Sequence, residues 1–289
     1  MTESPPPTPV PTPDPTASPV LGPMRRSRQL PTGRLLVASV LLIILSFSFG
    51  LTMALWYFTP TIPHLKLPTA TAVRHAALQV SPALYDVTAV LPKGEAALGT
   101  GMLIDGDKLV TNNHVIAGSL AISVRNVYTG QVYVARLMGY DAQADVALLL
   151  VDTHHPLPTI RTSTAPLAHG TQVVVVGNAG GHNRDPIAAP GAVVSTNQSV
   201  IVEDNTPHSQ KRLSGVIHVE SLLQPGDSGG ALTNLSGVVV GMTTAGSTAD
   251  SADPTVGYAI PIGTALGVAH QIEAGKPSQT VQIVPLDNT

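Results

Sequence analysis

The chain contains no cysteine among its 289 residues. That absence excludes a disulfide framework, a thiolate metal site and a cysteine nucleophile. Aromatic residues make up only 3% of the sequence and charged residues 11%. Long solvent-facing helices need more Glu, Lys and Arg than this, so the composition turns away from helical bundles. Basic runs are missing beyond a stretch near the N-terminus, and the formal net charge is −3. An electrostatic footprint for nucleic acid is therefore absent. Glycine and proline are plentiful, 26 of each, as expected for many short strands joined by turns.

Residues 1–34 begin with "MTESPPPTPVPTPDPTASPVLGP" and cannot bury a core, so a disordered, polyproline-like cytoplasmic tail is expected. Leu35 to Phe58, "LLVASVLLIILSFSFGLTMALWYF", carries no charge. Around 20 apolar residues suffice to cross a bilayer as a helix, so 35–58 reads as a transmembrane signal anchor in contact with lipid. Arg25, Arg26, Arg28 and Arg34 precede it, while only Lys66 and Arg74 lie close behind. The positive-inside bias then puts the N-terminus in the cytoplasm and the rest of the chain outside, with Trp56, Tyr57 and Phe58 at the outer interface. A cleaved signal peptide is the rival reading, but the run is long for one and lacks a small-x-small cleavage site after it. Residues 59–78 start proline-rich and read as a stalk that turns helical towards its end.

From residue 79 to 275 the pattern changes to β-branched runs at roughly ten-residue spacing, among them "YDVTAVL", "VALLLV", "TQVVVVG", "GAVVSTN", "SVIVE" and "GVVVGMTT". That pattern predicts an all-β fold of antiparallel barrels or a sandwich. One late helix is expected at "GTALGVAHQIEAG", stopped by Gly275. Residues 276–289 are left as a tail.

Three segments carry chemistry. "VTNNHVIAG" offers His114 at the end of a strand, and "YDAQADVALLLV" offers Asp145 just before a fully apolar strand. "LLQPGDSGGAL" crowds three glycines, a proline and an acid around Ser228. Acyl transfer by serine needs a hydroxyl, an imidazole to take its proton and a buried carboxylate to fix the imidazole's tautomer. Asp141, placed in a turn, and Asp152, at the far end of the strand, compete with Asp145 and read as solvated. His154, His155, His182, His208 and His218 have no ligand-like spacing with acids, so neither metal nor other cofactor is expected.

In order along the chain, "GTGMLI" (99–104), "LVTNNHVI" (109–116), "ADVALLLV" (144–151), "VVVGN" (174–178), "PGDSGGAL" (225–232), "GVVVGMTTA" (237–245) and "VGYAIPI" (256–262) resemble a trypsin-like serine protease domain of the HtrA/DegP branch. The resemblance implies two perpendicular six-stranded β-barrels followed by the C-terminal helix, with the site between them. It implies His114, Asp145 and Ser228 as the catalytic triad. It places the oxyanion hole at the backbone of Gly226, Asp227 and Ser228, whose N–H groups at 226 and 228 would face developing negative charge. Asp227 departs from the HtrA branch, where asparagine is usual, and matches the trypsin branch, where the aspartate pairs with a freshly cut N-terminus. How it is neutralised here stays open.

The same resemblance puts Leu222, six residues before the serine, in the specificity pocket, with walls from Met242, Thr243 and Gly257. A cationic side chain would be buried there unpaired, so small to medium aliphatic residues are expected before the scissile bond. Gly226 to Gly230 also fits a Gly-x-Ser-x-Gly elbow, with Asp250 or Asp253 and His270 downstream, but the strand–helix alternation of that fold is missing. Relatives of this branch usually carry a peptide-binding PDZ domain, and the few residues after Gly275 leave no room for one. The expected activity is a membrane-anchored extracytoplasmic serine endopeptidase acting on protein or peptide substrates, in quality control or regulated proteolysis, with oligomers compatible. The alternative is a latent or catalytically silent module of the same fold that binds partner proteins at the membrane.

Overall fold

The structure is a computed structural model that describes residues 65–178, 186–203, 210–246 and 255–286. The expected tail (1–34), membrane span (35–58), first part of the stalk, His182 and His208 lie outside the described residues. Among the described residues no helix is long and apolar enough to cross a membrane.

The first half of the domain is an antiparallel sheet built from β1 (Leu84–Val90), β2 (Ala96–Asp105), β3 (Lys108–Thr111), β4 (Ala121–Asn126), β5 (Val132–Asp141) and β6 (Val146–Val151). A late strand, β13 (Val281–Ile283), joins it, giving the order β13-β5-β4-β1-β2-β3-β6, and β6 pairs in addition with β5. The second half is a closed barrel in the order β10-β11-β12-β9-β8-β7. Its strands are β7 (Gln172–Gly177), β8 (Ile187–Glu203), β9 (Gln210–Ser221), β10 (Ala231–Thr233), β11 (Val239–Gly246) and β12 (Val256–Pro261). The expected pair of barrels thus takes the form of one closed six-strand barrel and a seven-strand sheet.

Apolar runs without alternation become strands buried on both faces. The "VALLLV" of β6 and the four valines of β7 are buried almost throughout. Each such side chain contributes roughly 1.5–3 kcal/mol by leaving water. "GAVVSTN" and "SVIVE" read in sequence as two strands, but they are one. β8 runs through both, and its pairing with β9 shifts register between Val193 and Ser195 and twice more up to Ser199. The backbone of Asn197, at φ 58°, absorbs the extra residues.

Two 3-10 turns, Ser81–Ala83 and Pro92–Gly94, and three α-helices, α1 (Ala70–Val80), the single turn α2 (Asn113–Ile116) and α3 (Ile262–Glu273), complete the described part. The last ends as expected, Gly275 taking φ 60° while its N–H and that of Lys276 return to Ile272 and Gln271. The stalk reading holds less well. From residue 70 the chain is already helix α1, capped by the Thr69 hydroxyl, and it lays Ala76, Ala77 and Val80 on β7 and β8. These residues share a core with Met102, Leu148, Val174, Met242 and α3's Ile262, Ala265 and Ala269, so the folded unit starts before residue 79. The segment after 275 is part of the fold too, because β13 pairs with β5 and Thr280 donates to Asp141 Oδ2 at 2.8 Å. Asp141 is accordingly buried and not solvated, its Oδ1 capping the N–H groups of Gln143 and Ala144.

The docking of α1 predicts an asymmetry on one helix. Ala76→Glu puts an unpaired charge where no surface is exposed and should lower Tm by roughly 5 °C or more, whereas Leu78→Glu, on the exposed face, should leave it nearly unchanged. Thermal denaturation of the two variants, followed by circular dichroism, checks this.

Candidate active site

Strand β3 ends at Thr111, and the chain turns through Asn112 into α2, which sets His114 at the mouth of the sheet. Asp145 sits in the turn before β6 at φ 58°, a left-handed conformation that aspartate tolerates better than most side chains. The main chain at this point is clamped to α2: the Asp145 carbonyl accepts the Asn112 side-chain amide at 2.9 Å and the Asn113 N–H at 3.3 Å.

The Asp145 carboxylate is almost fully buried and takes four donors. Its Oδ2 accepts the His114 Nδ1–H at 2.8 Å and the Thr244 hydroxyl at 2.7 Å. Its Oδ1 accepts the His114 backbone N–H at 3.1 Å and lies 3.5 Å from Lys211 Nζ. Burial pushes the carboxyl upward, but the hydrogen bond and charge of His114, the charge of Lys211 and the Thr244 hydroxyl outweigh it and hold Asp145 below the ordinary value of 3.8. With Nδ1 bound to the carboxylate, the tautomer leaves Nε2 with its lone pair. The sequence places Thr244 only in the strand of the pocket wall and does not connect it to Asp145, nor does it connect Lys211, which lies 66 positions beyond Asp145.

Ser228 lies in the tight turn that leads to β10. Gly226 and Gly229 take φ 100° and 83°, and a Cβ at 229 would strike the Thr100 carbonyl and come within 2.5 Å of the Thr111 hydroxyl. No other residue type fits there. The turn is stitched to both halves of the domain. Thr100 N–H donates to the Ser228 carbonyl at 2.8 Å, Thr100 Oγ1 donates to the Gly226 carbonyl at 2.8 Å, and Gly229 N–H donates to Thr243 at 2.8 Å. Thr243 Oγ1 donates in turn to the Asp227 carbonyl. With the Gly226 carbonyl held by Thr100, no carbonyl among the described residues takes the N–H of Gly226 or Ser228. The Ser228 hydroxyl donates to the Thr244 carbonyl at 3.3 Å.

Asp227 is buried and its Oδ2 accepts the Gln224 N–H at 2.8 Å, a contact within its own turn. Behind Thr100 stands a buried chain of polar contacts. Thr100 Oγ1 accepts the Asn178 N–H at 3.2 Å, the Asn178 amide donates to Asp86 Oδ1, and Arg125 Nη2 donates to Asp86 Oδ2 at 2.6 Å.

The residues assigned to the pocket scatter. Leu222 is 56% exposed and turns to solvent. Met242 belongs to the core beside Val174 and Ile260, and Thr243 is occupied with Asp227. Gly257 does border a side chain from the serine loop, but that side chain is Leu223: a Cβ at 257 would run into its Cδ1. Leu223 packs from there against the barrel interior of Val219 and Ala259. Leu223 is five residues before the serine and Leu222 six, and in an extended segment successive side chains point to opposite sides. His154 and His155 are exposed as expected, whereas His218 lies within β9, stacked on Tyr258 at 5.2 Å. No group of metal-holding residues occurs among the described residues.

Asp145's lowered value fixes a sign. Its contribution to stability is present above the unfolded carboxyl value, near 3.8, and is lost as pH falls through the folded one. Asp145→Asn, which keeps the left-handed turn, should therefore flatten the loss of stability on acidification below about pH 4 relative to wild type in urea titrations. An equally steep loss in both would contradict the assignment.

Comparison with known proteins agrees with this geometry. Residues 99–242 match the trypsin-like peptidase domain model. The serine protease Rv3671c of Mycobacterium tuberculosis is 30% identical over 232 residues, which cover 77% of this chain and 54% of that protein. The periplasmic serine endoprotease DegP of Escherichia coli K12 is 32% identical over 168 residues, 57% of this chain and 33% of its own length. The chain thus spans about half or less of the length of these relatives. Among solved structures, the active form of the Rv3671c protease superposes with a TM-score of 0.63 at 27% identity, covering 78% of this chain and 94% of that one. The HtrA-type protease AlgW with a tripeptide gives 0.61 at 26% identity, covering 73% and 65%. The chain carries a trypsin-like peptidase domain, and HtrA-type serine proteases are its homologues.

Proposed function

We propose that the protein is a serine endopeptidase in which Ser228 is the nucleophile, His114 the general base and Asp145 the carboxylate that orients it. The observation that carries this reading is the contact of His114 Nδ1 with the buried Asp145 at 2.8 Å, joined to the serine by Thr244, whose hydroxyl donates to that carboxylate and whose carbonyl accepts the Ser228 hydroxyl. The carboxylate holds the imidazole with Nε2 free of its proton and steadies the imidazolium that forms when Ser228 attacks a peptide carbonyl. In this mechanism the hydroxyl gives up its 3.3 Å bond to the Thr244 carbonyl for the imidazole. As the carbonyl oxygen turns into an oxyanion, the N–H groups of Gly226 and Ser228 receive it, a contribution of about 3 kcal/mol per donor in comparable sites. The imidazolium then protonates the leaving amine, and water repeats the sequence to release the acyl group.

Leu223 sets the specificity in this reading. Its position on Gly257 limits the space beside the serine and favours small to medium aliphatic residues before the scissile bond. Residues 35–58 anchor the protein, with the domain on the outer side, and its targets are envelope or secreted proteins. A latent form of the same enzyme is the second reading. It is favoured by Leu223 lying over Gly257 and by the Ser228 hydroxyl resting on a backbone carbonyl.

Wild type should be labelled by a serine-directed fluorophosphonate, while Ser228→Ala and His114→Ala should not, with the Tm of Ser228→Ala within a few degrees of wild type. Labelling of the Ser228→Ala variant at the wild-type rate removes the assignment, and a folded wild type that labels only after addition of peptide supports the latent form. In peptide-library profiling, Leu223→Ala should raise the preference for larger apolar residues by on the order of tenfold. Leu222→Ala should leave the profile within about twofold of wild type, and the opposite ranking would return the pocket to Leu222.

A further inference from the structure

N–H groups that stabilise an oxyanion are effective only when they point at it before the charge develops. In the serine loop these are the N–H groups of Gly226 and Ser228, which no carbonyl among the described residues takes. Their direction must therefore be set by what holds the peptides around them. A planar trans peptide points its carbonyl and its N–H in opposite directions, so a donor that holds one residue's carbonyl aims the N–H of the next.

The peptide joining Asp227 to Ser228 is held by Thr243, whose Oγ1 donates to the Asp227 carbonyl, and by the Gly230 N–H at 2.9 Å. The Ser228 N–H consequently points away from Thr243. The peptide joining Gly226 to Asp227 is held on both sides. Its carbonyl accepts the Thr100 hydroxyl at 2.8 Å, and its N–H donates to the Gln224 carbonyl at 3.0 Å. Turning it over would break both bonds. Gly226 has no Cβ to restrict it, so the hold on its carbonyl is what keeps it at φ 100°.

Both threonines are fully buried, Thr100 on β2 of the first sheet and Thr243 on β11 of the closed barrel. The Thr100 hydroxyl accepts the Asn178 N–H at 3.2 Å, which leaves its own proton for Gly226. The main chain of each binds the loop as well: Thr100 N–H donates to the Ser228 carbonyl at 2.8 Å, and Thr243 exchanges bonds with Gly229 and Gly230 at 2.8 and 2.9 Å. Those bonds do not need the side chains, so the hydroxyls can be removed separately.

We propose that Thr100 and Thr243 are positioning residues of the oxyanion hole. One hydroxyl from each half of the domain fixes the peptides on either side of Asp227, and together they aim the N–H groups of Gly226 and Ser228. The inference rests on the serine endopeptidase reading and deepens it. It makes the hole a product of the docking of the two halves, since neither half holds both peptides.

The test uses the full chain with Thr100→Val and Thr243→Val, which remove the hydroxyl and keep the shape, beside Thr100→Ser and Thr243→Ser, which keep the hydroxyl. Cleavage of a peptide p-nitroanilide with valine before the scissile bond, and fluorophosphonate labelling, are measured per folded protein well below each Tm. Each valine variant should lose about tenfold or more in kcat and in labelling rate with KM within about twofold of wild type, because a misaimed donor is missed only in the transition state. Each serine variant should stay within about threefold of wild type. Either valine variant with wild-type kcat and labelling but a lower Tm overturns the proposal, as does a loss confined to KM or a serine variant as slow as its valine counterpart. If wild type takes the label but leaves this peptide uncut, the labelling rates decide by the same factors. If wild type neither cuts the peptide nor takes the label, the endopeptidase reading fails and the proposal falls with it.

Discussion

One buried carboxylate governs the arrangement of the site. Asp145 could not be kept ionised under β6 without compensation, since desolvating a lone carboxylate costs several kcal/mol. It is compensated by donors from α2, β9 and β11, which lie up to 99 positions away in sequence. Satisfying this charge therefore requires the first sheet and the second barrel to be docked together. The geometry of the candidate site and the seam between the halves share these contacts.

A second set of contacts supports the serine loop. Thr100, fully buried on β2, offers its hydroxyl to the Gly226 carbonyl and its N–H to the Ser228 carbonyl. Its hydroxyl also accepts from Asn178, which bonds to the Asp86–Arg125 pair. A loop rich in glycine loses much conformational freedom on ordering, so it keeps one shape only where bonds such as these fix its carbonyls. Asp227 follows the same logic, its carboxylate closing the turn on Gln224.

The strands were legible because their residues obey a local rule. "VALLLV" and "QVVVVG" can hardly be anything but buried strands, and Gly275 marks the end of α3. The contact of His114 with a buried Asp145 was legible in part, because each sits in a short segment that a serine mechanism would single out, and Ser228 lies in the glycine-bound turn its segment suggested. What escaped depends on three-dimensional proximity. Nothing near Lys211 in sequence points to Asp145, and nothing in "TATAVRHAALQV" says that this modest helix is needed to cover β7 and β8. For the pocket the sequence leaves a subtler ambiguity. Leu222 and Leu223 are identical in composition, and only the direction of the backbone decides which one faces Gly257.

The ends of the domain cross over. Helix α1, the first described element, packs against strands of the second half, while β13, the last, pairs with β5 of the first half. A pull on residues preceding α1 is therefore transmitted first to the closed barrel, and a pull at the other end to the sheet. Tension between the two ends is therefore carried by the contacts that join the halves. The site would stay assembled under such tension for as long as those contacts hold and α1 stays docked.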